Sequence, residues 1–376
     1  MPSPTAKRSG SNRSSKKSRK RRAKSNNVYQ LLETRRLLAG DVMLASSISD
    51  LLTPSTSEGD SVFAAASGAN VRNSVVSADG RFVVFQSLSD DLVVNDNNGQ
   101  SDVFRYDRVL DVLDLVSVGV TGVAGDRSSI NPVISADGSV VAFQSQARDL
   151  IGAGTVGTEI FVRNFTTGTT ELVSVELDGL NSFSSSTNSP VISADGNVVA
   201  FMSSNNNLAE NDDNSVGTDL FARNLTTGVT SLVNVDFDCQ VDGTGGSGEG
   251  SVSFAAINSD GSTIAFLSTG RNLVDIPDPT PNSSTNNVFA RNLLTNTTTL
   301  VSVSSDGNFS ADQSASDPSI SADGNIVVFE SNSTNLSALD NDTQVDIFAF
   351  EVNSGTTTLV SINEACLLYT SDAADE

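Results

Sequence analysis

Apolar and polar residues alternate along most of this chain in short runs, and a recurring Asp-Gly pair separates the runs. The clearest copy is residues 131–145, where the apolar step Val133-Ile134 precedes Asp137-Gly138 and a β-branched run follows it. Asp can hydrogen-bond the neighbouring backbone, and Gly adopts a positive φ without steric cost, so the pair is typical of a type I turn closed by a bulge. The pattern therefore predicts a β-hairpin.

The hairpin occurs five times, and its glycines define a period. The pairs are Asp79-Gly80, Asp137-Gly138, Asp195-Gly196, Asp260-Gly261 and Asp323-Gly324. Consecutive glycines are thus 58, 58, 65 and 63 positions apart, and the run after each pair ends in a phenylalanine. Recurrence at a nearly fixed spacing indicates a repeat architecture.

Each repeat contains two further strand patterns after the hairpin. The third strand is predicted to start at Asp102, Glu159, Asp219, Asn287 and Asp346, each followed by an apolar residue and Phe. The fourth is predicted at the runs that start with Leu115, Leu172, Leu232, Leu300 and Leu359, of the form Leu-Val-Ser-Val. Helical periodicity is absent between residues 60 and 365, so each repeat is expected to form one antiparallel sheet of four strands.

The apolar character of these strands predicts how the sheets are arranged. Unbroken apolar stretches such as residues 140–143 must be covered on both faces, and radial stacking of ~4 to 8 twisted sheets covers them. A linear β-solenoid fits less well, because its coils are shorter. We predict an all-β fold, a β-propeller over residues 61–365, with repeats at about 73–118, 131–175, 188–235, 255–303 and 317–362.

The repeat resembles a known family. Ser-Ala-Asp-Gly followed by Val-Val-Ala-Phe, by Asp-Ile-Phe-like strands and by Thr-Gly turns resembles the TolB-type, WD-repeat-like β-propeller repeat, with Ala in place of the usual Pro. The resemblance spans roughly residues 73–362. It implies a periplasmic or extracellular propeller that makes protein contacts or stands beside an enzyme domain, and it identifies no partner.

Charge divides the chain into two parts. Residues 1–40 contain twelve Lys or Arg and one acid, whereas the remainder contains ten Arg, no Lys and 44 acids. So acidic a body repels nucleic acid and anionic lipid. Residues 1–60 are interpreted as a disordered basic leader followed by a Ser/Thr-rich linker at residues 46–60. Residues 1–27 contain almost nothing apolar, so they cannot bury enough surface to offset chain entropy.

Both ends of the sequence suggest processing or artefact. Residues 32–41, Leu-Glu-Thr-Arg-Arg-Leu-Leu-Ala-Gly-Asp, resemble the LEPR-x-LL segment of bacterial surface and exported proteins, with Thr34 at the position of the family's Pro. The resemblance implies export; no transmembrane segment is predicted. Residues 366–376 match a translated transposase sequencing adapter, so we interpret them as an artefact and expect that the gene is cut short.

The sequence offers little for catalysis. It contains no His, which removes His-based general bases and the Ser-His-Asp arrangement. Its 45 acids make paired carboxylates common by chance. No enzymatic activity is therefore predicted within this chain.

The loop before the third strand is the best candidate site. In repeats one, three and five it places oxygen ligands at nearly alternate positions, and hard Ca²⁺ takes six to eight such ligands from flexible loops. The candidate metal ligands are Asp96, Asn98, Asp102, Asp212, Asn214, Asp219, Asp340, Asp342 and Asp346. The alternative is a set of solvated turns whose Asx side chains bond their own backbone. Repeats two and four lack the set.

The sequence favours an exported or cell-surface, non-enzymatic binding scaffold, with the periplasm as the alternative location. Its expected partner is a protein or a surface polymer, with Ca²⁺ as a candidate stabilising ion. Two alternatives remain open: the propeller of a truncated, peptidase-like enzyme, and a Ca²⁺-dependent structural protein of a surface layer.

Overall fold

The computed structural model describes residues 61–62, 75–152, 155–179, 183–210, 212, 217–238, 250–278, 285–340 and 342–362. The predicted leader and linker, the segment that resembles LEPR-x-LL and residues 366–376 lie outside the described residues. In the described ranges, no helix has the length and apolar character needed to cross a bilayer.

The described residues form twenty strands in five groups of four, named blades 1 to 5. Blade 1 contains β1 (Ser61–Val62), β2 (Phe82–Ser87), β3 (Asp102–Asp107) and β4 (Val112–Leu115). Blade 2 contains β5 (Ser129–Ile134), β6 (Val140–Ser145), β7 (Val156–Asn164) and β8 (Thr169–Leu172). Blade 3 contains β9 (Phe183–Ile192), β10 (Val198–Ser203), β11 (Asp219–Asn224) and β12 (Val229–Leu232). Blade 4 contains β13 (Val252–Ile257), β14 (Thr263–Ser268), β15 (Asn287–Asn292) and β16 (Thr297–Leu300). Blade 5 contains β17 (Ala315–Ile320), β18 (Ile326–Ser331), β19 (Asp346–Glu351) and β20 (Thr356–Leu359).

Within each blade the strands pair antiparallel in chain order. In blade 1 the short β1 pairs with the end of β2, and an isolated bridge between Val76 and Val83 pairs the start of β2. Blades 2 and 3 have one further connection, because the beginnings of β7 and β9 pair in parallel. That parallel contact has no counterpart in the repeat pattern of the sequence.

The predicted hairpin joins the first two strands of a blade. In blade 2 the amide of Gly138 donates to the carbonyl of Ser135, and Gly138 has a φ of 73°. The Asp137 carboxylate accepts hydrogen bonds from the Ser135 hydroxyl and the Ser139 amide, which closes the turn. The side chains of Ser and Asp thus satisfy the turn's own polar groups, as the sequence pattern predicts.

The fourth strand differs from its prediction by a few residues. β4 is Val112–Leu115, so Leu115 ends the strand rather than beginning it. Leu115 pairs with Phe104, and beyond it the Ser117 hydroxyl accepts a hydrogen bond from the backbone amide of Val103. The Leu-Val-Ser-Val run therefore marks the place where the chain leaves the outer strand.

Successive blades pack one face on the other with unequal side chains. The front face of each blade carries two stacked phenylalanines from its second and third strands, with ring centroids 5.6 to 6.0 Å apart. The pairs are Phe85 with Phe104, Phe143 with Phe161, Phe201 with Phe221, Phe266 with Phe289, and Phe329 with Phe348. The rear face carries Val, Ala and Leu, and each rear face from blade 1 to blade 4 packs on the phenylalanines of the next blade. Four-stranded antiparallel sheets stacked face to face in this way form a β-propeller, which confirms the predicted fold class.

The Asp-Gly turns of successive blades also touch each other. The amide of Ala78 donates to the carbonyl of Ala136 at 2.8 Å, the amide of Ala136 to that of Ala194 at 2.8 Å, and the amide of Ser259 to that of Ala322 at 3.0 Å. A Cβ placed on Gly261 would lie 2.5 Å from Cβ of Val198 in the preceding blade. Glycine is thus required at position 261 for two reasons: its backbone has a positive φ, and the neighbouring blade leaves no room for a Cβ atom.

Two glycines with the same φ separate these requirements. Gly261 and Gly168 both have a φ of 72°, but nothing lies within 4 Å of a Cβ on Gly168. We expect Gly168→Ala to lower the free energy of unfolding by about 1–2 kcal/mol through backbone strain alone. Gly261→Ala should cost about 1–3 kcal/mol more, because the added methyl group clashes with blade 3.

Urea unfolding of the two variants and the parent protein measures the difference. Equal losses of unfolding free energy would show that the turns do not limit the approach of the blades.

Candidate metal centres

A polar residue of each third strand, the first residue of the strand except in blade 2, where it is the fourth, is held by a side chain fifteen positions later. The acceptors and donors are Asp102 with Ser117, Glu159 with Ser174, Asp219 with Asn234, Asn287 with Ser302, and Asp346 with Ser361, at 2.5 to 2.8 Å. The same Ser or Asn side chain accepts the backbone amide of the residue that follows the acceptor. The sequence reasoning missed these partners, and the polar third position of the Leu-Val-Ser-Val run was the signal for them.

Blade 5 brings three predicted ligands together. Asp340, Asp342 and Asp346 each offer a carboxylate oxygen, and these oxygens lie within 4.8 Å of one another. Ca²⁺ binds oxygen at 2.3–2.6 Å, so two ligands of one ion lie at most about 5 Å apart. The spacing of the three carboxylates therefore fits one shared cation.

The hydrogen bonds of blade 5 leave ligand oxygens available. One oxygen of Asp340 accepts the Asp342 amide, one of Asp342 accepts the Gln344 amide, and one of Asp346 accepts the Ser361 hydroxyl. The other oxygen of Asp340 is buried and has no hydrogen-bond partner in the described part of the chain, and the residue is only 8% exposed. A buried carboxylate oxygen without a partner is costly, and a bound cation removes that cost.

Blade 1 places two of its predicted ligands in the interior. Asp96 is 3% exposed and Asp102 is fully buried, and both oxygens of Asp96 lack a hydrogen-bond partner among the described residues. Burial, together with the charge of Asp90, raises the pKa of Asp96 to about 6. Burial raises the pKa of Asp102 to about 7, although hydrogen bonds from Ser117 and Asn98 oppose the shift. The charges of Asp96 and Asp90 raise the pKa of Asp102 further.

Asn98 lies in a turn beside these carboxylates. Its side-chain oxygen accepts the backbone amide of Gln100, and its amide nitrogen donates to Asp102 and to the carbonyl of Gly125, both at 2.6 Å. Asn98 therefore closes an Asx turn, as the alternative interpretation predicts, and it holds one Asp102 oxygen. The acid that sequence reasoning missed here is Asp90, whose charge acts on both buried carboxyl groups.

The other blades carry acids in the same region. In blade 3, Asp212 and Asp219 are both buried, whereas Asn214 lies outside the described residues.

In blades 2 and 4 the residues held in this way are Glu159 and Asn287, and the described parts of the preceding loops contain Asp149, Asp275 and Asp278. Among the described residues, only the three carboxylates of blade 5 lie close enough together to share one ion.

Comparisons with known proteins assign no family to this chain. No family model matches the sequence, and no curated protein matches it. Several solved structures are similar to part of the chain.

Three of the similar structures represent the range. A protein described as TolB from Agrobacterium tumefaciens is 17% identical with a TM-score of 0.39, and the match covers 76% of this chain and 79% of that one. TolB from Acinetobacter baumannii is 13% identical with a TM-score of 0.38, covering 76% of this chain and 52% of that one. Dipeptidyl peptidase 4 from Porphyromonas gingivalis is 12% identical with a TM-score of 0.43, covering 77% and 39%. At these low identities and TM-scores, no property of the three proteins is transferred to this chain.

Proposed function

We propose that this chain is a Ca²⁺-stabilised, non-enzymatic β-propeller scaffold that binds a protein or a surface polymer. The observation that carries the proposal is the blade 5 cluster, where Asp340 holds a buried, unpartnered oxygen among three carboxylates. Three carboxylate oxygens supply part of the coordination that Ca²⁺ requires, and water and backbone carbonyls supply the rest. Ca²⁺ also offsets self-repulsion in so acidic a body.

A scaffold role fits the positions of the perturbed carboxyl groups. Strongly shifted pKa values often mark active sites. Asp96 and Asp102, however, are sealed inside blade 1, where a substrate has no access to them. The raised pKa values of these two carboxyl groups therefore fit a structural cation site better than they fit a catalytic acid.

The location and partner class complete the proposal. We place the protein outside the cytoplasm, at the cell surface or in the extracellular space, on the resemblance of residues 32–41 to exported proteins. The acidic body disfavours nucleic acid as a partner.

Ca²⁺ should stabilise the metal-stripped protein through Asp340. At Ca²⁺ one hundred times above its dissociation constant, the gain in unfolding free energy is about 2.7 kcal/mol. We expect Asp340→Asn and Asp346→Asn to weaken binding, because each removes one negative ligand. Asn at position 346 should leave the fold intact, since Asn287 occupies the same place in blade 4 and accepts the Ser302 hydroxyl.

Calorimetric titration and thermal melting with Ca²⁺ measure both effects. The matched control is Asp275→Asn, which removes the same charge from an exposed residue outside the cluster and should bind as the parent does. Absence of heat, with an unchanged melting temperature at millimolar Ca²⁺, would refute the cation site.

The metal-free protein should lose stability as the pH rises from about 4 to about 7. The pKa of Asp96 is raised to about 6 and that of Asp102 to about 7, above the ordinary value of 3.8. In this window the folded state keeps protons that the unfolded state has released, so the free energy of unfolding falls with increasing pH. Asp102→Asn should flatten this dependence.

Melting in chelator at pH 5 and pH 7.5 tests the effect, with Asp102→Asn compared with the parent at each pH. A parent and variant with the same pH dependence would count against the raised pKa values. Added Ca²⁺ should restore more stability at pH 7.5 than at pH 5, because the ligands must be deprotonated.

A further inference from the structure

The rear face of blade 5 is exposed, unlike the other four. Ile326, Val328, Ile347 and Val360 are 36%, 37%, 36% and 52% exposed. The valines that correspond to Val360 in blades 1 to 4 are Val116, Val173, Val233 and Val301, and all four are fully buried. The valine at this repeat position is therefore buried in blades 1 to 4 and exposed in blade 5.

What covers a rear face is visible in the rest of the molecule. The rear face of blade 4, with Val288, Ala290 and Val301, packs on Phe329 and Phe348 of blade 5. The rear faces of blades 1, 2 and 3 contact the phenylalanines of the following blade in the same manner. The aliphatic side chains of a rear face thus pack on the stacked phenylalanine pair of the following blade.

Two polar groups of blade 5 match the same pattern. The amide of Ser259 donates to the turn of the next blade, but no inter-blade hydrogen bond from the corresponding Ala322 amide is found in the described part of the chain. Gln86 on the rear face of blade 1 accepts the backbone amide of Asn131 in blade 2 at 2.8 Å. Glu330 occupies the position of Gln86 in blade 5, so its carboxylate can accept the same kind of bond.

We propose that this face is a docking surface for a further four-stranded blade of the same repeat, which presents a stacked phenylalanine pair. Such a blade covers the apolar side chains, supplies a turn carbonyl to Ala322 and supplies an amide to Glu330. The inference rests on packing and is independent of the cation sites.

A second copy of this chain fits the face poorly. The phenylalanines on the front face of blade 1, Phe85 and Phe104, are already 2% and 0% exposed. Two rear faces packed together would bring Glu330 and Glu351 of both copies into one apolar interface, and unpaired buried charges are strongly unfavourable.

The test supplies such a blade. In the extended chain, residues 304–362 are repeated directly after residue 362 in place of residues 363–376, which continues the repeat in register. Val328→Cys in the first copy reports coverage through its rate of reaction with a maleimide, with Cys239→Ser in both chains and Cys366→Ser in the unextended chain. Val94→Cys, fully exposed, and Val116→Cys, fully buried, calibrate fast and slow labelling.

The appended blade should slow labelling of Val328→Cys by about tenfold or more, because reaction then requires local opening. Replacing the stacked pair of the appended copy, the counterparts of Phe329 and Phe348, by Ser should restore fast labelling. An unchanged rate in the extended chain, including one caused by an appended copy that stays unfolded, overturns the proposal. A dimer of the unextended chain that Val328→Asp dissociates also overturns it, since the occupant would then be a second copy.

Discussion

The close approach of successive Asp-Gly turns constrains the rest of this structure. Backbone amides of one turn reach carbonyls of the next at 2.8 to 3.2 Å, so at this end the sheets cannot separate further. The small rear face and the phenylalanine pair follow from that distance, because two faces of large side chains would overfill the space and two small faces would leave cavities. Turn chemistry and core packing therefore specify the same spacing.

The loops between the second and third strands are free of this constraint, and their sequences differ from blade to blade. In each blade, an Asp, Glu or Asn that follows the loop accepts a hydrogen bond from a Ser or Asn side chain fifteen positions later. Since Asp, Glu and Asn all accept this hydrogen bond, the bond is common to every blade, whereas the charge of the acceptor differs between blades. In blade 5 the preceding loop adds Asp340 and Asp342 to Asp346, and the three carboxylates lie close together, whereas in blade 1 the loop adds the buried Asp96.

The repeat was predictable because it is local. The Asp-Gly turns, the phenylalanines that end the second strands and the strand count per blade all follow from residues near one another in sequence. The end of β4 was placed wrongly, because the Leu-Val-Ser-Val run satisfies a strand pattern while its Ser hydrogen-bonds the third strand.

Within the candidate sites the limits of the sequence are also physical. Alternation of Asp and Asn placed the ligands of blade 5 together, but it could not distinguish the Asn98 oxygen from its amide nitrogen, nor show that the charge of Asp90 acts on Asp96. The parallel contact between β7 and β9 was equally invisible, because it joins two blades rather than neighbouring residues.

The acidic loops of blades 1 and 5 differ in burial, and this difference has the same origin as the difference between their rear faces. In blade 1 the loop that carries Asp96 is covered by blade 2, where the amide of Ser129 donates to Ser101 and Gly125 accepts from Asn98. Asp102 is consequently fully buried. In blade 5 the corresponding Asp346 is only partly buried, and its neighbour Ile347 lies on the open rear face. A blade docked on that face would remove water from the carboxylates of Asp340 and Asp346, which raises the cost of leaving them without a cation. The proposed docking and the proposed cation binding would therefore favour each other in blade 5, and in blade 1 a covered rear face accompanies a buried acidic loop.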